Sequence, residues 1–300
     1  MKKITKPLFR GILIALVLCW MVAPGANATP FSLGTAGPND WAVFVMDGAG
    51  LGFNMLGGAT IGGFPGNVGV HNANAQVNNT ANVSGALYLN TGFTLAGPSS
   101  VFAGSPAGPI FDDTKVNNAF TDAGNASAAF ALLPADAGRT YTQATLPAVI
   151  TPAAGKVGGE TVVEISDGIN FTSTKTLTFD GGGNANSTFI VNIPAGPFSL
   201  TGSSAFQVSG ISPFNVVFNY LGTAGVATSS ADLQGIFLGP NCDFTLHNNL
   251  FTWSGEIIAK SLIMQSGSLL VPLPPSVLLL GSGLVGLGLL GGRRKWFRKD

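Results

Sequence analysis

Leu177-Thr178-Phe179-Asp180-Gly181-Gly182-Gly183-Asn184-Ala185-Asn186-Ser187-Thr188-Phe189-Ile190-Val191-Asn192-Ile193 sets two β-favouring runs on either side of a glycine- and asparagine-rich turn. Three successive glycines suit a turn and no element interior. The same alternation of apolar run and breaker extends in both directions. Further runs occupy 161–165, 198–201, 205–208, 215–221, 235–238, 243–246 and 253–264, with Gly, Asn, Pro or Ser between nearly every pair. Spacing this close belongs to an all-β fold. On pattern alone, a sandwich or barrel and a parallel β-helix both remain open.

Upstream, 41–45 reads as a strand, followed by a Gly/Asn-rich stretch to about Asn90 with short strands at 67–70 and 85–90. Residues 97–109 read as a loop. One helix is predicted, over 115–133, because Val116, Ala119, Phe120, Ala123, Phe130 and Leu133 recur at intervals of three and four. Asp112 or Asp113 is the expected cap, and Pro134 the stop.

The two ends have a different character. Lys2, Lys3, Lys6 and Arg10 precede an apolar run from Gly11 to Ala23, and Ala26-Asn27-Ala28 follows. A basic start, a short apolar core and an A-x-A exit make a secretory signal peptide over 1–28, with Ala26 and Ala28 at the cleavage site. At the other end Val271-Pro272-Leu273-Pro274-Pro275-Ser276 breaks any helix. An uncharged run over 276–292 then leads to Arg293, Arg294, Lys295, Arg298 and Lys299. Its length meets the lower limit of the roughly 17–25 residues of a membrane-spanning helix, and the cations place that tip in the cytoplasm. The order of these three parts resembles the PEP-CTERM sorting signal, with Leu273 in place of the usual glutamate. The resemblance implies an exosortase that reads and removes the tail; a permanent membrane span is the alternative.

Between Thr29 and Pro275 five bases face 13 acids, a net charge of −8. A body this acidic excludes nucleic-acid binding through a cationic footprint and is repelled by anionic lipid. Cys242 is its one cysteine, so no internal disulfide forms.

Several segments resemble the ice-binding-like β-solenoids. They are 177–193, Asn215-Val216-Val217-Phe218-Asn219, Gly235-Ile236-Phe237-Leu238-Gly239-Pro240 and Gly255-Glu256-Ile257-Ile258-Ala259-Lys260. The opening Leu33-Gly34-Thr35-Ala36-Gly37, with Trp41-Ala42-Val43-Phe44 and Gly66-Asn67-Val68-Gly69-Val70, is similar to that family's start. Two of these segments equally resemble choice-of-anchor A domains. The resemblance implies a mainly β fold, a right-handed parallel β-helix over 29–270 flanked by the helix at 115–133.

Nothing in the sequence assembles a catalytic centre, and no cofactor or metal is expected. His71 and His247 lie in Asn-rich stretches without a nucleophile elbow, and Cys242 has no nearby base to activate it. Gly281-Ser282-Gly283-Leu284-Val285-Gly286 follows no strand and sits in the tail, so the nucleotide reading fails. Asp180 and Asn184 offer too few oxygens for calcium. The sharpest binding candidate is Thr172, Thr174, Thr176 and Thr178, which project from one face if they share a strand. The sequence therefore predicts a non-enzymatic cell-surface protein, structural or adhesive in the envelope or exopolysaccharide matrix. Ice binding is the alternative and an extracellular hydrolase the distant third. The expected partners are the Sec translocon, signal peptidase, an exosortase, polysaccharide and the inner membrane.

Overall fold

The computed structural model describes residues 31–47, 51–63, 65–228, 232–247 and 252–271. The expected signal peptide, with Ala26 and Ala28, lies outside them, as do the tail residues Pro272, Leu273, Pro274, Pro275 and Ser276, the span at 276–292 and the cationic tip. No helix among the described residues is long and apolar enough to cross a membrane. Val271, the first residue of the expected sorting motif, ends the strand Ser268–Val271, buried and in register with Gly63.

Every ladder pairing is parallel, and the strands stack in three files that form the faces of a β-helix-type coil. Face A runs through Glu160–Ile165, Thr188–Ile193, Val216–Tyr220, 236–238, 257–259, Val43–Val45, Val68–Val70 and Leu87–Leu89. Face B runs through Ile169–Phe171, Phe198–Leu200, Ala224–Thr228, 243–247, 262–264, Leu51–Met55, Asn74–Val77 and Leu95–Ala96. Face C runs through Val149–Ile150, Thr176–Asp180, Ala205–Ser209, 232–233, 252–254, Ser268–Val271, Thr60–Gly63 and Asn82–Val83. The long strands Asp232–His247 and Thr252–Met264 each turn through all three faces.

Spatial order is not chain order. The first coil stacks on the last: Val43–Val45 pairs with 257–259, 53–55 with 262–264, and Thr60–Gly63 with Ser268–Val271. This seam joins an N-terminal half, residues 31–111, to a C-terminal half, residues 136–271. Gly63 permits the approach. Its φ is +97°, and a Cβ there would lie 1.9 Å from the carbonyl oxygen of Val271.

Alternation along each strand turns one set of side chains inward. Phe171, Phe198, Phe206, Phe218, Phe237, Phe244 and Trp253 fill the bore of the C-terminal half. Phe206 stacks on Phe218 at 4.6 Å, and Phe237 on Phe244 at 4.4 Å. Offset and edge-on ring contacts of this kind add to plain area burial, and they give a body with a single cysteine its core.

The helix, here α1 (Asp113–Ala131), begins two residues before the expected start and is capped by Asp112, whose carboxylate accepts from the Lys115 amide at 2.9 Å. Its buried stripe of Val116, Ala119, Ala123, Ala126 and Phe130 covers the outward side of face A, where Phe44, Ile190, Val217, Ile236, Leu238 and Ile258 complete a second apolar layer. Strands covered on both sides lose polar alternation, and Thr188–Ile193 is buried at every position. Two asparagines interrupt that layer. Asn219 donates to Asn192 Oδ1 and to the Ser127 carbonyl and accepts from the Ser127 hydroxyl at 2.6 Å, while Asn192 donates to the Phe130 carbonyl. The network fixes the C-terminal half of α1 on the coil.

Candidate binding faces

With face A sealed, faces B and C carry the outward chemistry. On face C one outward file reads Thr176, Ala205, Asp232, Thr252, Ser268, Thr60 and Asn82, each in register with the next. Three consecutive coils there present hydroxyls, and Thr60 Oγ1 donates to Ser268 Oγ at 2.8 Å. A neighbouring file contains Val149, Thr178 and Gln207, and then Gln234, Ser254, Leu270 and Gly62. Stacked strands lie about 4.7–4.9 Å apart, so the surface repeats at that interval along the axis. Threonine holds few χ1 rotamers, which limits the ordering cost at a contact.

Face B is less regular. One of its files runs Asn170, Ser199, Val226, Thr245, Ile263, Asn54 and Gln76, and in that file no three consecutive coils carry hydroxyls. At its edge Lys260 pairs with Asp243 at 3.3 Å, and Ser261 donates to the same carboxylate at 2.7 Å.

The four-threonine rung is corrected. The strand of face C begins at Thr176; Thr172 and Thr174 are exposed at the bend that precedes it. Only Thr176 and Thr178 share its outward side, because the chain turns the corner from face B over 172–175. The more continuous hydroxyl file went unread in the sequence because Thr60 and Ser268 are 208 residues apart.

The remaining candidates resolve into structural roles. His71 is buried against α1. Its ring stacks on Phe120 at 4.0 Å, and its Nδ1 lies 2.7 Å from the Met46 carbonyl, so Nδ1 carries the proton and donates. Beside it, Asn72, Asn90, Thr91, Asp113 and Asn117 line an open polar cleft of about 600 Å³. Donation from the Thr91 amide, and then from Asn90, holds the Asp113 carboxyl below its usual range. Cys242 is packed in the bore, where burial and then the Asp243 charge push its thiol up to about 12; a thiol so held is inert as a nucleophile. Asp180 accepts from the Gly182 amide at 2.8 Å in a tight turn. Among the described residues no three His, Cys, Asp or Glu side chains group to hold a metal ion.

The family described as "Putative Ice-binding-like adhesive domain" matches residues 27–270. No curated protein matches the chain in sequence. Among solved structures, an ice-binding protein from the Antarctic ascomycete Antarctomyces psychrotrophicus superposes with a TM-score of 0.51 at 18% identity, covering 81% of this chain and 99% of its own. An ice-binding protein from an Antarctic biological consortium gives 0.54 at 19%, covering 82% of this chain and 92% of its own. At such identities the likeness establishes the shared fold.

Proposed function

The chain belongs to this family of ice-binding-like adhesive domains, and on that premise we propose that it is a non-catalytic surface binder whose face C docks on an ordered, hydroxyl-rich ligand, ice first. The file of Thr252, Ser268 and Thr60 carries the reading. Three hydroxyls held at one strand spacing on a rigid parallel ladder match a lattice of ordered water, and no side-chain search is needed at the moment of contact. The ice-binding proteins that share the fold support the same ligand.

A second reading is adhesion to polysaccharide. Gln207, Gln234, Asn82 and Asp232 on the same face offer amides and a carboxylate that bond to sugar hydroxyls. Residues 29–272, a compact unit in themselves, provide the test. Thermal hysteresis and inhibited recrystallisation are the expected results. If the fragment shows neither and binds the producer's exopolysaccharide, the ice reading fails and adhesion takes its place.

Export is part of the same proposal. Ala26 and Ala28 suit signal peptidase after passage through the Sec translocon. The segment from Val271 to Asp300 suits an exosortase-read sorting signal, or failing that a helix holding the body at the inner membrane. Coiling of the parallel strands is expected to be right-handed. Mass spectrometry of the mature C-terminus tests the tail: loss of residues after the proline motif supports sorting, and an intact Asp300 contradicts it.

A further inference from the structure

The seam holds the only two described side chains with buried polar atoms that lack a hydrogen-bond partner, Glu256 and Asn54. Asn54 belongs to a strand of the first coil, opposite Ile263 of the last. Glu256 belongs to the last coil, in register with Ile236 on one side. On its other side is the seam, where the Ile257 amide donates to the Ala42 carbonyl. Its side chain is fully buried and both carboxylate oxygens are unpartnered. It shares the outward side of face A with Ile258, within the apolar layer that also holds Trp41 and Phe44.

The rest of face A treats its polar groups differently. Asn192 and Asn219, in the middle of the C-terminal half, are hydrogen-bonded to each other and to α1. An unpaired carboxyl at the one junction where the chain is discontinuous is a distinct feature of the seam. A neutral carboxyl is tolerated there at the cost of its lost hydrogen bonds, whereas an ionised one would be a lone charge in an apolar layer.

We propose that the seam is a pH-operated joint, closed while Glu256 carries its proton and parting locally, first coil from last, when the carboxylate forms. Burial is the main reason the proton is held well above the usual carboxylate range, and Asp40 adds to it. The other titratable groups on the neighbouring elements are engaged. Lys115 pairs with Asp40 at 3.2 Å and lies over the Trp41 and Tyr88 rings, Asp122 accepts from Thr35, and Asp113 is held by Asn90 and Thr91. None of them neutralises Glu256. Because α1 links the halves covalently and lies on elements of both, an open seam leaves the halves joined.

Amide hydrogen exchange of the full chain tests the joint. Met46, Asp47, Leu56 and Thr60 donate their amides across the seam, whereas Leu221 and Thr201 donate between coils of the C-terminal half. Between pH 5 and 9 the exchange rate of the seam amides, taken relative to those two, is expected to rise by up to about tenfold per unit, the slope of one lost proton. Glu256→Gln, or Glu256→Met should the glutamine variant not fold, removes that rise. A Thr60→Cys, Ser268→Cys disulfide in a Cys242→Ala background suppresses it. A relative rate that does not change with pH, or a rise that persists in the Glu256 variants, overturns the proposal.

Discussion

Faces A and C are built on the same parallel ladder and contribute inward side chains to the same aromatic core, yet their outward sides are opposite in chemistry. On face A the outward residues are mostly apolar, Phe44, Ile190, Val217, Ile236 and Ile258 among them, and they pack with α1 in one layer. On face C they are Thr176, Asp232, Thr252, Ser268 and Thr60, exposed or half-buried, with no helix among the described residues laid over them. The difference teaches that the coil assigns no function to a face. What lies over the outward side does, and one amphipathic helix decides which face is spent on stability and which is left for a ligand.

The sharpest way to break this comparison is to put the same charge on both faces. Val217→Lys buries a cation beneath α1 and is expected to cost about 3–5 kcal/mol, or to prevent folding. Thr178→Lys, outward on face C, is expected to shift stability by no more than about 0.5 kcal/mol. Urea midpoints compare the two; equal losses would mean that face C is also a packed interior.

A proton probes face A next. The Glu256 carboxyl titrates near its ordinary value of 4.5 when unfolded and well above it when folded. Its contribution to stability is therefore fully present below that value and declines as pH rises toward the folded value, by up to about 1.4 kcal/mol per unit. Glu160 and Asp232, raised by burial, tilt the same way, so the difference between wild type and Glu256→Gln isolates the residue. Denaturant melts from pH 4 to 8 should show the wild type losing stability faster than the variant.

The asparagine network gives a smaller effect. Asn219→Leu strands the buried Ser127 hydroxyl and Asn192 oxygen, at an expected cost of about 1–3 kcal/mol. Exchange should quicken in the C-terminal turns of α1 and not in the bore.

Much of this contrast was legible in the sequence. The helix showed itself because Val116, Ala119 and Ala123 repeat at its own period, and most strands of the C-terminal half because apolar runs ended at glycine or asparagine. Strands such as Leu51–Met55 and Thr60–Gly63 were unread, since glycines within them dilute the pattern. The seam was beyond sequence reasoning: its pairs, such as Val43 with Ile257, join opposite ends of the body. For the same reason Thr172 to Thr178 looked like a site, while the longer hydroxyl file, assembled from separate coils, did not. Glu256, a lone carboxyl in an apolar run, was a signal left unused; it was read only as part of a family-like segment.

The central claim is that face C is the binding face. Thermal hysteresis and recrystallisation inhibition by residues 29–272 test it most directly, for the wild type, a Thr60→Lys, Thr252→Lys variant and a Thr245→Lys variant on face B. The account predicts activity in the wild type, its loss in the face C variant and its retention in the face B variant, with all three equally stable. Activity that survives on face C and disappears with Thr245→Lys would contradict it.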